Sequence, residues 1–283
     1  MVGGRLHPRA VAAWALACVV LALATSNPLY RVLAAVISLT VLIRLAGWWR
    51  VRRLVLAAGI LAATTALLNV VVAHVGDTVL WTLPGWLPGL GGPWTLEALA
   101  YGLFSGVGLM ACLFGAASLT LLLEPDELID ALPGWLDRTG GALAMTLGLA
   151  GALRSTVGQV VEGQRLRGWR LRGPRSWAEI TVPVVLTAVE GSIQLAEAME
   201  ARGYGAGPRS RWQRPGLSPG DRALVAGSAA ALVLFIAARL GGRTAEWYPY
   251  PSLTLPALEP LPLAAFLLLA LPLFLWPGRP SAA

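Results

Sequence analysis

The sequence predicts an all-α fold, a polytopic membrane helical bundle with a cytoplasmic or interfacial helical module inserted between its membrane helices. Three observations lead to this prediction. Apolar residues make up 56% of the 283-residue chain and charged residues only 13%, whereas soluble domains average roughly 45–50% and about 25%. Several apolar runs are long enough to cross a bilayer. Finally, most of the charged residues fall in one central region.

Membrane helices are predicted where an apolar run approaches the roughly 17–25 residues that cross the hydrocarbon core. The first such run is short, and it is expected to form a membrane helix or half of a tight helical hairpin. The predicted spans are residues 10–26, 28–47, 53–75, 97–123, 222–240 and 261–277. Their even number places both termini on one side of the membrane.

The placement of arginine predicts the orientation, because cytoplasmic loops carry an excess of basic residues. Arginines precede the first span, and three more lie at positions 50–53, after the second span. The loop at 76–96 has no arginine and is rich in Trp, Pro and Gly, a composition suited to an interfacial cap, and the loop at 241–260 has one arginine. Both termini and the central region are therefore predicted to be cytoplasmic.

The basic residues are all arginine, 22 in number, and the chain has no lysine. This excludes a Walker A loop, whose lysine contacts the nucleotide phosphates, and it excludes Schiff-base chemistry. The two histidines and two cysteines are isolated from one another in the sequence, without the spacing of metal ligands. We therefore expect no catalytic residue, no bound metal and no cofactor.

The central region, residues 124–221, is expected to be a helical cytoplasmic module. Residues 124–222 contain 12 of the 22 arginines and 11 of the 15 acidic residues. The region opens with Glu124-Pro125-Asp126-Glu127, a pattern typical of a helix N-terminus. The predicted division is N-terminal membrane helices at 1–123, the module at 124–221, and C-terminal membrane helices at 222–283.

Two helices are predicted inside the module, at 141–166 and 177–202, because apolar residues recur there at helical spacing. Each ends in an arginine followed by a glycine. Glycine is favoured just past a helix end, and a cation is favoured at the negative end of the helix dipole. On these grounds alone the arginines either dock a partner or only cap the helix and set the topology. The two pairs are Arg167-Gly168 and Arg202-Gly203.

Several motifs along the chain carry a resemblance to a known family. They are Leu6-His7-Pro8-Arg9, Thr25-Ser26-Asn27-Pro28-Leu29-Tyr30, Glu124-Pro125-Asp126-Glu127-Leu128, Gln164-Arg165-Leu166-Arg167-Gly168 and Glu200-Ala201-Arg202-Gly203. With them the chain resembles the transmembrane T component of energy-coupling factor (ECF) transporters, which import cobalt and vitamins. The last two motifs match the paired Ala-Arg-Gly signatures of that family, although Leu166 replaces the usual alanine in the first.

The resemblance implies a non-catalytic scaffold subunit of an ABC-type importer. Two cytoplasmic ATPase subunits would hold the coupling helices, with the arginines of both motifs docked in their grooves. A separate substrate-binding S component would pack on the membrane helices and reorient to release a vitamin or a transition-metal ion. The implied location is the cytoplasmic membrane of a bacterium or archaeon. The expected ATPase-coupling residues are Arg167, Gly168, Ala201, Arg202 and Gly203, supported by Gln164, Arg165, Glu197 and Glu200.

Small residues on the fourth predicted span suggest a close helix contact. Glycine at helix interfaces lets two backbones approach each other. Gly102, Gly106 and Gly115 are therefore candidates for packing against an S component. Packing within the bundle itself explains them equally well.

Three other functional classes are less well supported by the sequence. Asp126 and Asp130 share a helix face, as carboxylates of a Mg²⁺-dependent membrane prenyltransferase would, but a second acidic cluster is absent. A secondary carrier would need more ionisable residues inside its spans. The arginines at 165–175 resemble a nucleic-acid patch, but their position between membrane segments favours lipid headgroups or the ATPases. The lipid bilayer is therefore a predicted partner of the chain, and nucleic acid is not.

Overall fold

The computed structural model describes residues 7–84, 91–124, 127, 137–170, 173–204 and 216–276. The chain divides into two compact units. One unit comprises Met1–Ala131 together with Leu217–Ala283, and the other comprises Leu132–Gly216. The helix expected to begin at Glu124 lies almost entirely outside the described residues.

Nearly all of the described secondary structure is helical, which confirms the predicted all-α membrane bundle. The first unit contains α1 (Pro8–Ala24), α2 (Pro28–Ala46), α3 (Trp48–Val72), β1 (Val79–Leu83), β2 (Gly92–Thr95), α4 (Leu96–Leu122), α7 (Pro219–Leu240), α8 (Pro260–Leu268) and α9 (Leu271–Leu275). The second unit contains α5 (Asp137–Leu166) and α6 (Pro174–Ala201).

Within the described residues, five helices are long and apolar enough to cross a membrane. Four of them, α2, α3, α4 and α7, correspond to predicted spans. The other two predicted spans form shorter apolar helices, and the last of these is interrupted between α8 and α9. The fifth candidate, Ser176–Ala201 of α6, was not predicted as a span, and it is the least apolar of the five.

The loop predicted between the second and third spans is only one residue long. Gly47 adopts a positive φ of 87°, which glycine tolerates because it has no Cβ, and α3 begins at the next residue. The arginines at 50–53 therefore lie on the first turns of α3 and not in a loop. The guanidinium of Arg52 stacks over the ring of Trp49, 4.5 Å from its centroid.

Helix α4 is the central helix of the first unit and packs against α1, α2 and α3. On the α3 side, two glycines four residues apart face two alanines four residues apart. A Cβ added at Gly102 would lie 2.8 Å from the Cα of Ala66, and one added at Gly106 would lie 2.7 Å from the Cα of Ala62. The two antiparallel backbones are therefore in direct contact, as small residues allow in membrane bundles.

The turn between α1 and α2 joins the bundle to the segment 243–259. Asn27 is fully buried, and its Nδ2 donates hydrogen bonds to the carbonyls of Ala245 (2.9 Å) and Ala257 (2.8 Å). Its Oδ1 accepts from the backbone N–H of Leu29 (3.0 Å) and so caps α2. One side chain thus starts a helix and fixes a distant loop.

Residues 76–96, predicted to be a loop, contain an antiparallel β-hairpin. Trp81 is opposite Trp94 and Leu83 is opposite Gly92, with an irregularity in the register between Val79 and Trp81. The second strand runs directly into α4, whose N-cap is Thr95. The hairpin is thus attached to the end of the central helix.

In the second unit α5 and α6 pack together, and their ends agree with the predicted helices to within a few residues. Ile180 and Val184 of α6 are buried. Much of the predicted apolar stripe on both helices nevertheless remains exposed. Exposed side chains of the stripe are Leu149, Leu153, Val185, Val189 and Ile193.

Candidate functional site

The predicted coupling residues lie at the C-terminal end of each helix of the second unit. In α5 the last helical residue is Leu166, followed by Arg167 and then by Gly168 at φ +85°. The N–H of Gly168 donates to the carbonyl of Arg165 (3.0 Å), and the N–H of Trp169 donates to the carbonyl of Gln164 (3.0 Å). These two bonds form a Schellman motif, in which a left-handed glycine closes the helix.

Helix α6 ends in the same way. The N–H of Gly203, at φ +72°, donates to the carbonyl of Glu200 (2.8 Å), and the N–H of Tyr204 donates to the carbonyl of Met199 (2.9 Å). Ala201 is the last helical residue and Arg202 is the C-cap. Both helices thus present an arginine at the cap, a glycine next and an aromatic residue after it. We call Arg167-Gly168 and Arg202-Gly203 the two tips.

Both tip arginines are exposed. Within the part of the chain that the structure describes, neither guanidinium has a hydrogen bond or an ion pair. A guanidinium presents its donors in a planar fork that suits a carboxylate. Among the supporting residues, Arg165, Glu197 and Glu200 are exposed and Gln164 is half-buried.

The turn that carries the first tip is braced against α6. The indole Nε1 of Trp169 donates to Oε2 of Glu179 at 2.9 Å. Sequence reasoning did not identify this pair, since no spacing rule connects a turn residue with a helix residue ten positions later. The bond ties the end of α5 to the beginning of α6, because Glu179 lies in the second turn of that helix.

The two tips stand at opposite ends of α6. This helix has 28 residues, and a rise of 1.5 Å per residue makes it about 42 Å long. The first tip precedes the start of α6 by six residues, whereas the second tip follows its end. The second unit therefore presents two similar arginine groups, one at the C-terminal end of α5 and one at the C-terminal end of α6, separated by about the length of α6.

The glycines proposed for packing against an S component are buried inside the first unit. Gly102 and Gly106 contact α3, and a Cβ added at Gly115 would lie 3.0 Å from the Cβ of Cys18 in α1. These positions are occupied by helices of the same chain. In this chain the close neighbours of these glycines are therefore its own helices α1 and α3.

Within the described ranges, no three His, Cys, Asp or Glu side chains come together as they would around a metal ion. Asp126 and Asp130, the carboxylates considered for a prenyltransferase, lie outside those ranges. The features that stand out chemically are therefore the two tips of the second unit.

Comparison with known proteins agrees with a transport function. The model of one protein family, described as CbiQ, cobalt transport protein, matches residues 2–213. The match covers most of the chain and includes both tips. No curated protein matches the sequence.

Proposed function

This chain belongs to the CbiQ family of cobalt transport proteins, and we propose that it is the T subunit of an ECF-type importer. It is a multi-pass membrane protein, and membership of a transport family makes it a component of a transporter. In our proposal it is non-catalytic. It couples ATP hydrolysis by two cytoplasmic ABC-type ATPase subunits to the reorientation of an S component that binds a vitamin or a transition-metal ion.

The observation that carries this proposal is the pair of similar arginine tips on one compact unit. Each tip is closed by a Schellman motif, so that the arginine is held by a folded helix end and not by a loop. A force applied to such a residue is passed to the helix. The tips are separated by the length of α6, so each one contacts a different ATPase subunit.

The absence of lysine supports the assignment of ATP chemistry to other subunits. A P-loop needs its lysine on the phosphates, and this chain contains none. The tip arginines instead offer charge-assisted, bidentate hydrogen bonds to carboxylates on the ATPases.

The proposed topology follows the arginine distribution. Both termini and the module at 124–221 are cytoplasmic, in the cytoplasmic membrane of a bacterium or archaeon, with membrane helices at 1–123 and 222–283. Lipid surrounds the bundle. The cargo is determined by the S component.

The test is co-purification with the ATPases, followed by measurement of ATP hydrolysis and of uptake in proteoliposomes. Arg167→Glu combined with Arg202→Glu should abolish the complex or separate hydrolysis from uptake. The control is Arg154→Glu, which reverses a charge at an exposed position of the same unit that lies outside the 165–175 arginines. The control should assemble normally.

Replacing both tip arginines by lysine distinguishes the effect of the positive charge from the effect of the side chain's geometry. Lysine keeps the charge but lacks the planar fork, so Arg167→Lys with Arg202→Lys should assemble with reduced coupling. If the double glutamate variant assembled and transported as well as the control, the coupling role of the tips would be wrong.

A further inference from the structure

The base of the β-hairpin is fixed by a buried carboxylate. Glu97, in the first turn of α4, is fully buried, and it accepts hydrogen bonds from the backbone N–H (3.1 Å) and the hydroxyl (2.6 Å) of Thr78. The N–H of Leu96 donates to the carbonyl of Thr78 at 2.9 Å. The beginning of β1 is therefore held against the beginning of α4.

Further contacts hold the chain that leads into the hairpin. The hydroxyl of Thr95 donates to the carbonyl of Val75 (2.8 Å), and the N–H of Asp77 donates to the carbonyl of Pro251 (3.1 Å). Gly76 has φ +143°, and a Cβ there would collide with the carboxylate of Glu97. Because its base is locked on several sides, the hairpin cannot swing freely.

The strand that extends from this base exposes three consecutive apolar side chains. Val79, Leu80 and Trp81 are 50%, 54% and 68% exposed. We call these three residues the hairpin surface. Residues 78–95 contain no charged side chain. A two-stranded hairpin is at best marginally stable in water, so water on both faces is an unfavourable environment for it.

The position of the hairpin identifies what covers this surface. Strand β1 begins seven residues after α3 ends, and β2 continues directly into α4. Both helices are membrane-spanning candidates. The hairpin is therefore held at the level where two membrane helices leave the bilayer, where tryptophan is enriched in membrane proteins.

We propose that the hairpin surface is inserted into the interfacial layer of the bilayer and anchors the α3–α4 end of the bundle to lipid. The outer edges of a two-stranded sheet carry unpaired N–H and C=O groups, which the hydrocarbon core cannot satisfy. The headgroup region can satisfy them, and it also covers the apolar side chains. This inference does not depend on the role of the arginine tips.

The test is site-directed spin labelling of the chain alone, with one molecule per nanodisc of phosphatidylcholine and phosphatidylglycerol. Single cysteines replace Leu80 and Trp81 in a background of Cys18→Ala and Cys112→Ala. Collisions of each label with oxygen, which partitions into lipid, are compared with collisions with a water-soluble nickel chelate. Two control labels are placed at Ile60, exposed within α3, and at Glu246, a charged and exposed residue of the 243–259 segment.

The labels at Leu80 and Trp81 should both collide several-fold less with the nickel chelate than the label at Glu246 does. Their ratio of oxygen to nickel collisions should lie between those of Glu246 and Ile60, as expected for the interface. Nickel access at either position equal to that at Glu246 would overturn the proposal. Protection that arises only after partner subunits are added would also overturn it, because the surface would then be a protein interface.

Discussion

Replacing Gly106 by alanine should force α3 and α4 apart, because the added methyl group has no space. Its Cβ would lie 2.7 Å from the Cα and 2.9 Å from the carbonyl oxygen of Ala62. Both of these are backbone atoms, so no side-chain rotation relieves the contact. Overpacking of this kind costs about 1–3 kcal/mol. For a unit of this size, each kcal/mol corresponds to a change of roughly 2–4 °C in the unfolding midpoint.

Gly59 supplies the matched control for this substitution. It lies on α3, it is exposed, and a Cβ there would meet no atom within 4 Å. Gly59→Ala should therefore raise the free energy of unfolding by about 0.5–1 kcal/mol, since alanine loses less backbone entropy in a helix. The two variants receive the same methyl group but should change the stability in opposite directions.

The assay is unfolding of the purified chain in mild detergent, either by heat or by an increasing fraction of dodecyl sulfate. No partner subunit is present, so a loss of stability reports packing within the bundle. Ala62→Gly should not restore the Gly106→Ala variant, because the closest atoms of Ala62 are its Cα and carbonyl oxygen. Equal midpoints for Gly106→Ala and Gly59→Ala would refute the close contact of the two backbones.

Two other predictions concern single local interactions. Asn27→Ala removes the donors to the carbonyls of Ala245 and Ala257, and each carbonyl left unpaired should lower the free energy of unfolding by about 1–3 kcal/mol. An unchanged midpoint in the same unfolding assay would contradict this prediction. Alanine at Gly168 or Gly203 must adopt a positive φ, which costs roughly 1–2 kcal/mol, whereas asparagine is tolerated better there. Amide hydrogen exchange of the residue after each glycine should therefore quicken more with alanine than with asparagine, and equal rates would contradict the left-handed cap.

The two helices of the second unit and their ends were predictable because their determinants are local. The ends of α5 and α6 were expected at Gly168 and Gly203, and the structure places both glycines at left-handed caps. The stripes of apolar residues predicted α5 and α6 to within a few residues. These features depend on residues that are neighbours in the sequence, so the sequence contains the information directly.

The contacts that join distant segments were not predictable in the same way. The glycines of α4 are compatible with any close helix, and only the packed bundle shows that Ala62 and Ala66 of α3 occupy that face. The hairpin was missed because residues 78–95 lack an alternation of polar and apolar side chains. The arginines at 50–53 were placed in a loop because the single-residue turn at Gly47 has no distinct sequence pattern.

The sequence by itself determined that this chain is a helical membrane protein with two arginine-glycine helix ends, because apolar periodicity, capping and charge placement act over a few residues. Only the tertiary structure decided which surfaces are occupied. It buried the glycines of α4, fixed the hairpin through Glu97 and placed the two tips at opposite ends of α6. The physical reason is that close packing and hydrogen bonding between remote segments depend on three-dimensional proximity, which a one-dimensional pattern does not specify.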